Sequence, residues 1–392
     1  MPHLVETYAL NCGLKIDKPF LLEKYYPTGL DKYITFQPFS KYESKSYDYW
    51  QEVVDFIHPE LQKNGIQILQ VGGKDEAPFK NCVHSQGLSS LQQTAYIVNH
   101  SMLHLGVDSF VTHLASGYNK KIVCLYSNTY ANIARPYWTK KEDCILFEPD
   151  REKLKPSYSA IEIPKSINQI NPEDIANAAT KLLGINYKCP YKTLKKGENY
   201  NSRSLQLYPN CLVNAENPEK THVVVRMDYE FNEDVLVNQV SKTKCTIITD
   251  KPITSSIIDN FSKNIEEILY IIDENHSVNF VKYAQSKSVK VNLLTKESDP
   301  KIVEKYKLYF MEYGIIDQVK IIKKEDLNLP TEEDLYYKTN TNLISSGKAY
   351  QCLAAKQAEQ PKKSMATEIQ KVPDTDVFWE ESDKAIIFQK IS

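Results

Sequence analysis

Arginine is nearly missing from this chain. Of its 48 basic residues only Arg135, Arg151, Arg203 and Arg226 are arginines, the rest being lysines. With abundant Asn, Ile and Tyr, this points to AT-biased coding, which permits a viral (phage) gene but says little about mechanism. A surplus of charge is missing too. The net charge is −2 and the pI near 6.5, so the chain as a whole is not an electrostatic nucleic-acid binder, and only a local basic groove is left for that role. Paired cysteines are absent: Cys12, Cys82, Cys124, Cys144, Cys189, Cys211, Cys245 and Cys352 are scattered with no Cys-x-x-Cys, as expected of buried thiols in a reducing compartment. Met1-Pro2-His3-Leu4 opens no signal peptide. No apolar run approaches the roughly 20 residues that cross a bilayer. The expectation is a soluble, cytoplasmic protein with no membrane span.

Chemical signatures are missing as well. The chain has no Gly-x-x-x-x-Gly-Lys-Ser/Thr, no Gly-x-Gly-x-x-Gly and no Gly-x-Ser-x-Gly, which removes support for ATPase, dehydrogenase and serine-hydrolase readings. His84 and His104 lack partners at metal-ligand spacing, and no His/Cys/Asp cluster suggests zinc. No metal and no cofactor are expected.

What remains is ample core-forming material. The chain is 42% hydrophobic and 11% aromatic over 392 residues, enough for two to three domains of roughly 100–200 residues each. After a short helix over 3–12, strand and helix patterns alternate: strand 33–38, helix 48–63, strand 66–71, helix 90–100, strand 103–107, helix 109–118, strand 121–126. Trp50, Val53, Val54, Ile57 and Leu61 keep a helical stripe, and Gly65 closes it. Short apolar strands buried on both faces imply a doubly wound parallel sheet. Asn171-Pro172-Glu173-Asp174 opens a last helix over 172–183, and Gly184 ends it.

A second alternation follows: strand 222–227, helix 233–240, strand 245–249, helix 255–264, strand 268–272, helix 276–286, strand 289–294, helix 300–313, strand 319–322. The reading is α/β throughout: a Rossmann-like domain over 1–185 with an N-terminal helix, a connector over 186–218, a second Rossmann-like doubly wound domain over 219–330, and a small mixed C-terminal appendage over 331–392 that ends in a strand at 385–388.

The most chemically suggestive element is Gly106-Val107-Asp108-Ser109, a turn between a buried strand and a helix. Helix N-terminal amides there carry partial positive charge and suit a diphosphate, and open α/β sheets bind ligands at the carboxyl ends of their strands. The other reading of Asp108 or Ser109 is as a helix cap.

The residues from Gly106 through His113-Leu114-Ala115-Ser116, followed by Ile122-Val123-Cys124-Leu125-Tyr126, resemble the signature of the ADP-heptose:lipopolysaccharide heptosyltransferase family. Three further segments match in order. Thr35-Phe36-Gln37-Pro38 with Lys45 resembles the family's first strand and lysine-bearing loop. Ile68 to Val71 with Gly72-Gly73-Lys74-Asp75-Glu76 resembles its second strand and Gly-Gly turn. Gly87-Leu88-Ser89-Ser90 resembles the segment beside the base. The resemblance implies that Asp108, Ser109 and Thr112 line the phosphates, that His113 supports the turn, that Lys45 neutralises the diphosphate, that Gly72 and Gly73 form a donor-side turn, and that Ser89 lies near the base. Phe110-Val111 departs from the family's Gly-Pro and narrows the approach to the phosphates.

In that family the matching half is the second of two. The first half carries the acceptor site and a catalytic carboxylate, and His3 to Tyr8 here looks like the helix that joins them. The second Rossmann-like domain is then expected to take the acceptor side, a GT-B-like pair in swapped order. An inverting transferase needs a base for the acceptor hydroxyl and a cation for the leaving diphosphate. Asp228 is the candidate base and Arg226 the candidate anion partner, either of which could instead be a turn carboxylate or surface arginine; Asp250 stands second to Asp228. Arg135-Pro136-Tyr137-Trp138 could overhang the cleft, with aromatics stacked on sugar or base, or pack on a neighbouring helix. Two functions follow. One is a metal-independent glycosyltransferase moving a sugar from a nucleoside-diphosphate donor to a surface glycan or, if the gene is viral, a hydroxylated DNA base. The other is a non-catalytic nucleotide-sugar-binding module acting in an assembly.

Overall fold

The computed structural model describes residues 2–213, 222–330, 334–364 and 368–391. Residues 214–221, at the junction read as connector and second domain, lie outside that description, as do 331–333 at the start of the appendage. The chain forms two compact units, Met1–Lys192 and Thr193–Ser392.

The first unit runs α1 (Leu4–Cys12), β1 (Tyr33–Gln37), α2 (Trp50–Lys63), β2 (Gln67–Gln70), β3 (Val83–His84), α3 (Leu91–Asn99), β4 (Leu103–Val107), α4 (Phe110–Gly117), β5 (Lys121–Leu125), α5 (Ala131–Ala134), β6 (Cys144–Phe147) and α6 (Pro172–Leu183). Its strands pair in the order β3-β2-β1-β4-β5-β6, all parallel. The chain winds outward from β1 to β3, then crosses back to lay β4 on the other side of β1. That reversal opens a crevice between the carboxyl ends of β1 and β4. The apolar stripe read from sequence buries Trp50, Val53, Val54, Ile57 and Leu61, and α2 packs on α6 while α3 packs on α4. Ser90 starts α3 with a capping box. Its hydroxyl accepts from the Gln93 N–H at 3.3 Å, and the Gln93 side chain accepts from the Ser90 N–H at 2.9 Å. Of the strands, β3 and β6 escape a periodicity reading, because β3 is two exposed residues long and β6 is only half-buried.

The second unit runs β7 (Tyr191–Lys196), β8 (Leu205–Leu207), β9 (Val223–Arg226), α7 (Glu233–Val240), β10 (Cys245–Thr249), α8 (Ser255–Phe261), β11 (Ile265–Ile272), α9 (Val278–Ser286), β12 (Val291–Thr295), α10 (Pro300–Tyr309), β13 (Ile316–Gln318), β14 (Leu335–Thr339), β15 (Asn342–Ser345), β16 (Lys348–Tyr350), α11 (Leu353–Gln357), β17 (Gln370–Lys371), α12 (Asp376–Glu380) and β18 (Ala385–Lys390). An eight-stranded sheet has the order β13-β12-β11-β10-β9-β8-β15-β16, and a four-stranded one the order β17-β14-β18-β7.

Both units are α/β; the large sheet of the second is parallel from β13 to β15 with an antiparallel edge at β16, and its small sheet pairs β14 antiparallel with β17 and β18. From β8 to β13 each strand lies beside its predecessor, so every crossover advances the same way. Right-handed crossovers then place all the helices on one face. The packing agrees: Leu236 of α7, Ile258 of α8, Val281 of α9 and Tyr306 of α10 share one core with Val225, Ile247, Tyr270 and Leu293 of the strands. After β13 the chain returns to lay β15 parallel on the far side of β8, so this sheet also reverses its order, between β8 and β15.

Other departures have local causes. The strand read at 319–322 forms three residues earlier, at Ile316–Gln318, where Ile316 is buried beside Leu293. Leu205–Leu207, within the segment read as connector, pairs with Val223–Val225 and joins the large sheet. Asn342–Ser345, within the segment read as appendage, extends the same sheet through β8.

Candidate functional site

In the first unit the site grows from the crevice beside β1. Gly106 sits where β4 leaves the sheet, and a Cβ there would stand 2.7 Å from the Gln37 carbonyl oxygen and 3.1 Å from His104 Nε2. Only glycine allows the carboxyl ends of β1 and β4 to approach so closely. The chain then turns through Asp108 and Ser109 into α4. The Asp108 N–H donates to the Leu125 carbonyl at 3.0 Å, which fixes the turn to β5.

Neither side chain is spent capping α4. The Ser109 hydroxyl donates instead to the Gln37 side-chain oxygen across the crevice, and makes no cap bond. Asp108 takes Lys45 Nζ at 2.6 Å on one oxygen and lies 3.3 Å from His113 Nε2 on the other. The first-turn amides of α4 therefore lack a side-chain cap. Burial by itself would raise the Asp108 pKa, but His113 and Lys45 more than offset it and hold the carboxyl below its ordinary value.

Lys45 reaches Asp108 from the short turn after β1, and that turn is anchored. The Ser44 N–H donates to the Ala160 carbonyl at 3.0 Å and its hydroxyl to the Ser159 carbonyl at 2.7 Å. Asn128 ties the same two residues together, at 3.1 Å to the Ser44 hydroxyl and 2.7 Å to the Ser159 carbonyl. The lysine stem is thus largely buried, with its ammonium aimed at the turn.

The other expected residues fall as follows. Thr112 is fully buried, donating to the Val107 carbonyl at 2.8 Å with His104 Nε2 at 3.1 Å, so its hydroxyl braces the turn from beneath rather than facing the crevice. Below it, His104 also meets the Thr35 hydroxyl at 3.2 Å. Burial, with His113 nearby, pushes the His104 pKa down to about 3. His113 lies on the partly exposed side of α4, with 42% of its side chain accessible. Phe110 is half-exposed beside the turn and Val111 is buried.

Gly72 and Gly73 follow β2, and the Gly87 N–H donates to the Gly72 carbonyl at 2.9 Å, so two segments read separately form one surface. Ser89 shares a hydrogen bond of 2.9 Å with Thr94 at the start of α3. Tyr137 packs on His3 at 4.8 Å between ring centroids, and Trp138 Nε1 donates to the Asp17 carbonyl at 3.0 Å. Those aromatics therefore pack on the N-terminal segment, not over the crevice.

One residue passed over in the sequence stands out. Glu76 folds back over Gly72, where a Cβ would fall 1.9 Å from its Oε2. That oxygen is buried without a hydrogen-bond partner, and burial raises the carboxyl's pKa despite the backbone bond at Gly73. Glu76 thus lies just past the second strand, at the carboxyl end of the sheet, where open α/β sheets take their ligands. Its spacing after Gly72-Gly73 was a usable signal.

In the second unit, Arg226 and Asp228 meet at the carboxyl end of β9. Nε and Nη2 of Arg226 each donate to Asp228 at 2.8 Å, a forked pair with both side chains about 6% exposed. Arg226 also reaches Gln206 at 2.8 Å and Glu381 at 3.4 Å, and it stacks on the Tyr229 ring at 3.5 Å. The Tyr229 hydroxyl donates to Glu381 at 2.7 Å and Lys384 lies 3.4 Å away. Against the upward push of burial, Lys384, Arg226 and Tyr229 hold the Glu381 carboxyl down at about 2. Asp250 ends β10 nearby, and all these strand ends open into one cleft of 1010 Å³.

Among the described residues, no group of three or more His, Cys, Asp or Glu converges as metal ligands would. No helix among them is long and apolar enough to cross a membrane.

Comparison with known proteins bears on the first unit. Residues 6–159 match the model of glycosyltransferase family 9 (heptosyltransferase). Comparison with curated proteins finds no match. Among solved structures, a family 9 glycosyl transferase of Veillonella parvula is 21% identical, with 39% of this chain and 46% of that one covered and a TM-score of 0.33. An E. coli ADP-heptose lps heptosyltransferase II is 15% identical, with 45% and 50% covered and a TM-score of 0.31. The E. coli heptosyltransferase WaaC with ADP is 16% identical, with 45% and 54% covered and a TM-score of 0.31. The chain thus spans about half the length of the solved relatives it matches. It is over residues 6–159 that this protein resembles the family 9 heptosyltransferases, and that stretch holds the Lys45–Asp108 crevice.

Proposed function

We propose that this protein is a cytoplasmic glycosyltransferase that takes a sugar from a nucleoside-diphosphate donor and passes it to a hydroxyl acceptor. The observation that carries the reading is the uncapped N-terminus of α4 at the β1/β4 crevice, faced by Lys45 and falling inside the family 9 match. The diphosphate sits on the α4 amides, and Lys45 swings from Asp108 to share its charge as the sugar departs. Positive charge for the leaving group then comes from the lysine and the helix end, without a resident metal. Asp108 and His113 hold Lys45 and the turn in register, Glu76 accepts from the ribose, and the Gly72-Gly73 and Ser89 surface lies towards the base. In the second unit Asp228 is the proposed base for the acceptor hydroxyl, with Arg226 holding its carboxylate. The acceptor is a surface glycan or a hydroxylated DNA base.

A second reading, a non-catalytic nucleotide-sugar-binding module, is favoured by one observation: the Arg226 fork engages both oxygens of Asp228, so the carboxylate is already taken up by hydrogen bonds within the fold. A panel of nucleotides and nucleotide sugars separates the cases. Thermal shift reports donor binding, since a ligand at 100 times its Kd adds roughly 2.7 kcal/mol, and nucleotide release in the presence of glycans reports transfer. If no diphosphate nucleotide stabilises the chain, both readings fall. Binding without transfer on any acceptor leaves the module.

A further inference from the structure

The cleft of the second unit is built from ordinary parts of the fold but has an uneven chemistry. Its floor is the row of carboxyl ends of β9, β10, β11 and β12, where parallel strands present their loops. Its volume of 1010 Å³ is at the top of the roughly 300–1,000 Å³ range of small-ligand clefts, so there is room for more than one sugar ring. The Arg226–Asp228 pair and Glu381 are committed to one another at one end. Beyond them the lining carries Asp250, Asp273, Glu274, Glu297 and Glu380 against Lys296 and Lys305.

Ionised carboxylates only accept hydrogen bonds. A ligand here must therefore bring donors and little negative charge, because like charge in such a cleft repels. One wall is apolar and aromatic. Ile302, Tyr306 and Tyr309 lie along one side of α10, four and three residues apart. The His276 ring sits 5.1 Å from Tyr306 and 5.3 Å from Tyr309, and the Tyr309 ring is half-exposed. Leu353 and Val377 line the cleft as well. Apolar faces beside acceptor-rich ends match a molecule with C–H faces and hydroxyl edges. The two lysines and Arg226 argue against a polycation.

We infer that this cleft is a saccharide-binding site that takes a neutral, polyhydroxylated glycan. Its role as the acceptor site rests on the proposed transfer, and it selects a neutral sugar chain over phosphate-bearing acceptors, DNA included.

The test uses the full chain on an array of immobilised neutral, sulfated and phosphorylated glycans. Hits are confirmed by saturation-transfer NMR, with spermidine and a ten-residue oligothymidylate as charged probes. The expected result is binding of neutral oligosaccharides that Tyr309→Ala and Asp250→Asn each weaken at least tenfold, while the ADP-induced thermal shift stays unchanged. Lys45→Ala should do the reverse, losing the ADP shift and keeping the glycan. Binding of neutral glycan without any ADP shift would sink the donor reading and uphold the cleft. An intact ADP shift with no neutral glycan bound, a preference for the anionic glycans, spermidine or oligothymidylate, or glycan binding indifferent to both substitutions would overturn the cleft assignment.

Discussion

The Lys45 ammonium lies 2.6 Å from a carboxylate oxygen of Asp108, although 63 residues separate them in the chain. One comes from the turn after β1 and the other from the turn after β4, and they meet because the sheet reverses its order between those strands. This ion pair is the natural handle on the first unit's chemistry.

Replacing Lys45 with Ala should weaken ADP binding tenfold to a hundredfold, about 1.4–2.7 kcal/mol, as read by isothermal titration calorimetry. The wild-type affinity should fall with added salt and the variant's much less, because screening acts on the lost charge. Equal salt dependence in the two proteins would place the lysine outside the site.

Asp108→Ala should cut the ADP-induced thermal shift to about a third or less, by the loss of the group that registers Lys45 and His113. The same variant should leave glycan binding by the second unit unchanged.

Acid stability should carry a His104 signature. Its pKa is lowered from 6.5 to about 3 in the fold, so between those values the unfolded chain binds the proton and the folded chain does not. Stability therefore falls as pH drops from 6.5, by about 2 kcal/mol at pH 5. Urea unfolding of wild type and His104→Asn from pH 7 to 5 checks this. The variant should lose the slope, and an unchanged slope would refute the assignment.

Gly106→Ala should cost roughly 1–3 kcal/mol by overpacking, because its Cβ meets the backbone of Gln37 rather than a mobile side chain. The urea midpoint should fall with the slope unchanged, and ADP binding should weaken with it.

Arg226→Ala should be worse, about 3–5 kcal/mol, since it strands the buried Asp228 carboxylate and the partly buried Glu381. Arg226→Lys should recover only part of that, because an ammonium lacks the fork. Chemical denaturation of the three proteins measures it.

Much of the first unit was readable in order. The stripe from Trp50 to Leu61, the cap at Ser90 and the strand–turn–helix at Gly106 to Ser116 are local patterns, and local patterns survive in a string of residues. The role of Thr112 was not readable, and that of Glu76 was hinted at only by its spacing after Gly72-Gly73. Thr112 points down onto His104 because α4 turns that side of itself to the sheet, and Glu76 turns back over Gly72 because the loop after β2 closes on itself.

In the second unit the alternation was visible and the strand partners were not. Nothing in Leu205–Leu207 or Asn342–Ser345 announces that they are neighbours in one sheet, since that pairing depends on partners more than a hundred residues apart. Glu381, 155 residues from Arg226, is hidden for the same reason.

By itself, then, the order of residues determined where strands and helices form and which turn has glycine, acid and hydroxyl at a helix start, because propensity, periodicity and capping act over a few neighbours. Only the tertiary structure decided what that turn faces. The crossing back from β3 to β4 is a choice of strand partner, made by the burial of whole strands, and it alone set Lys45 against Asp108.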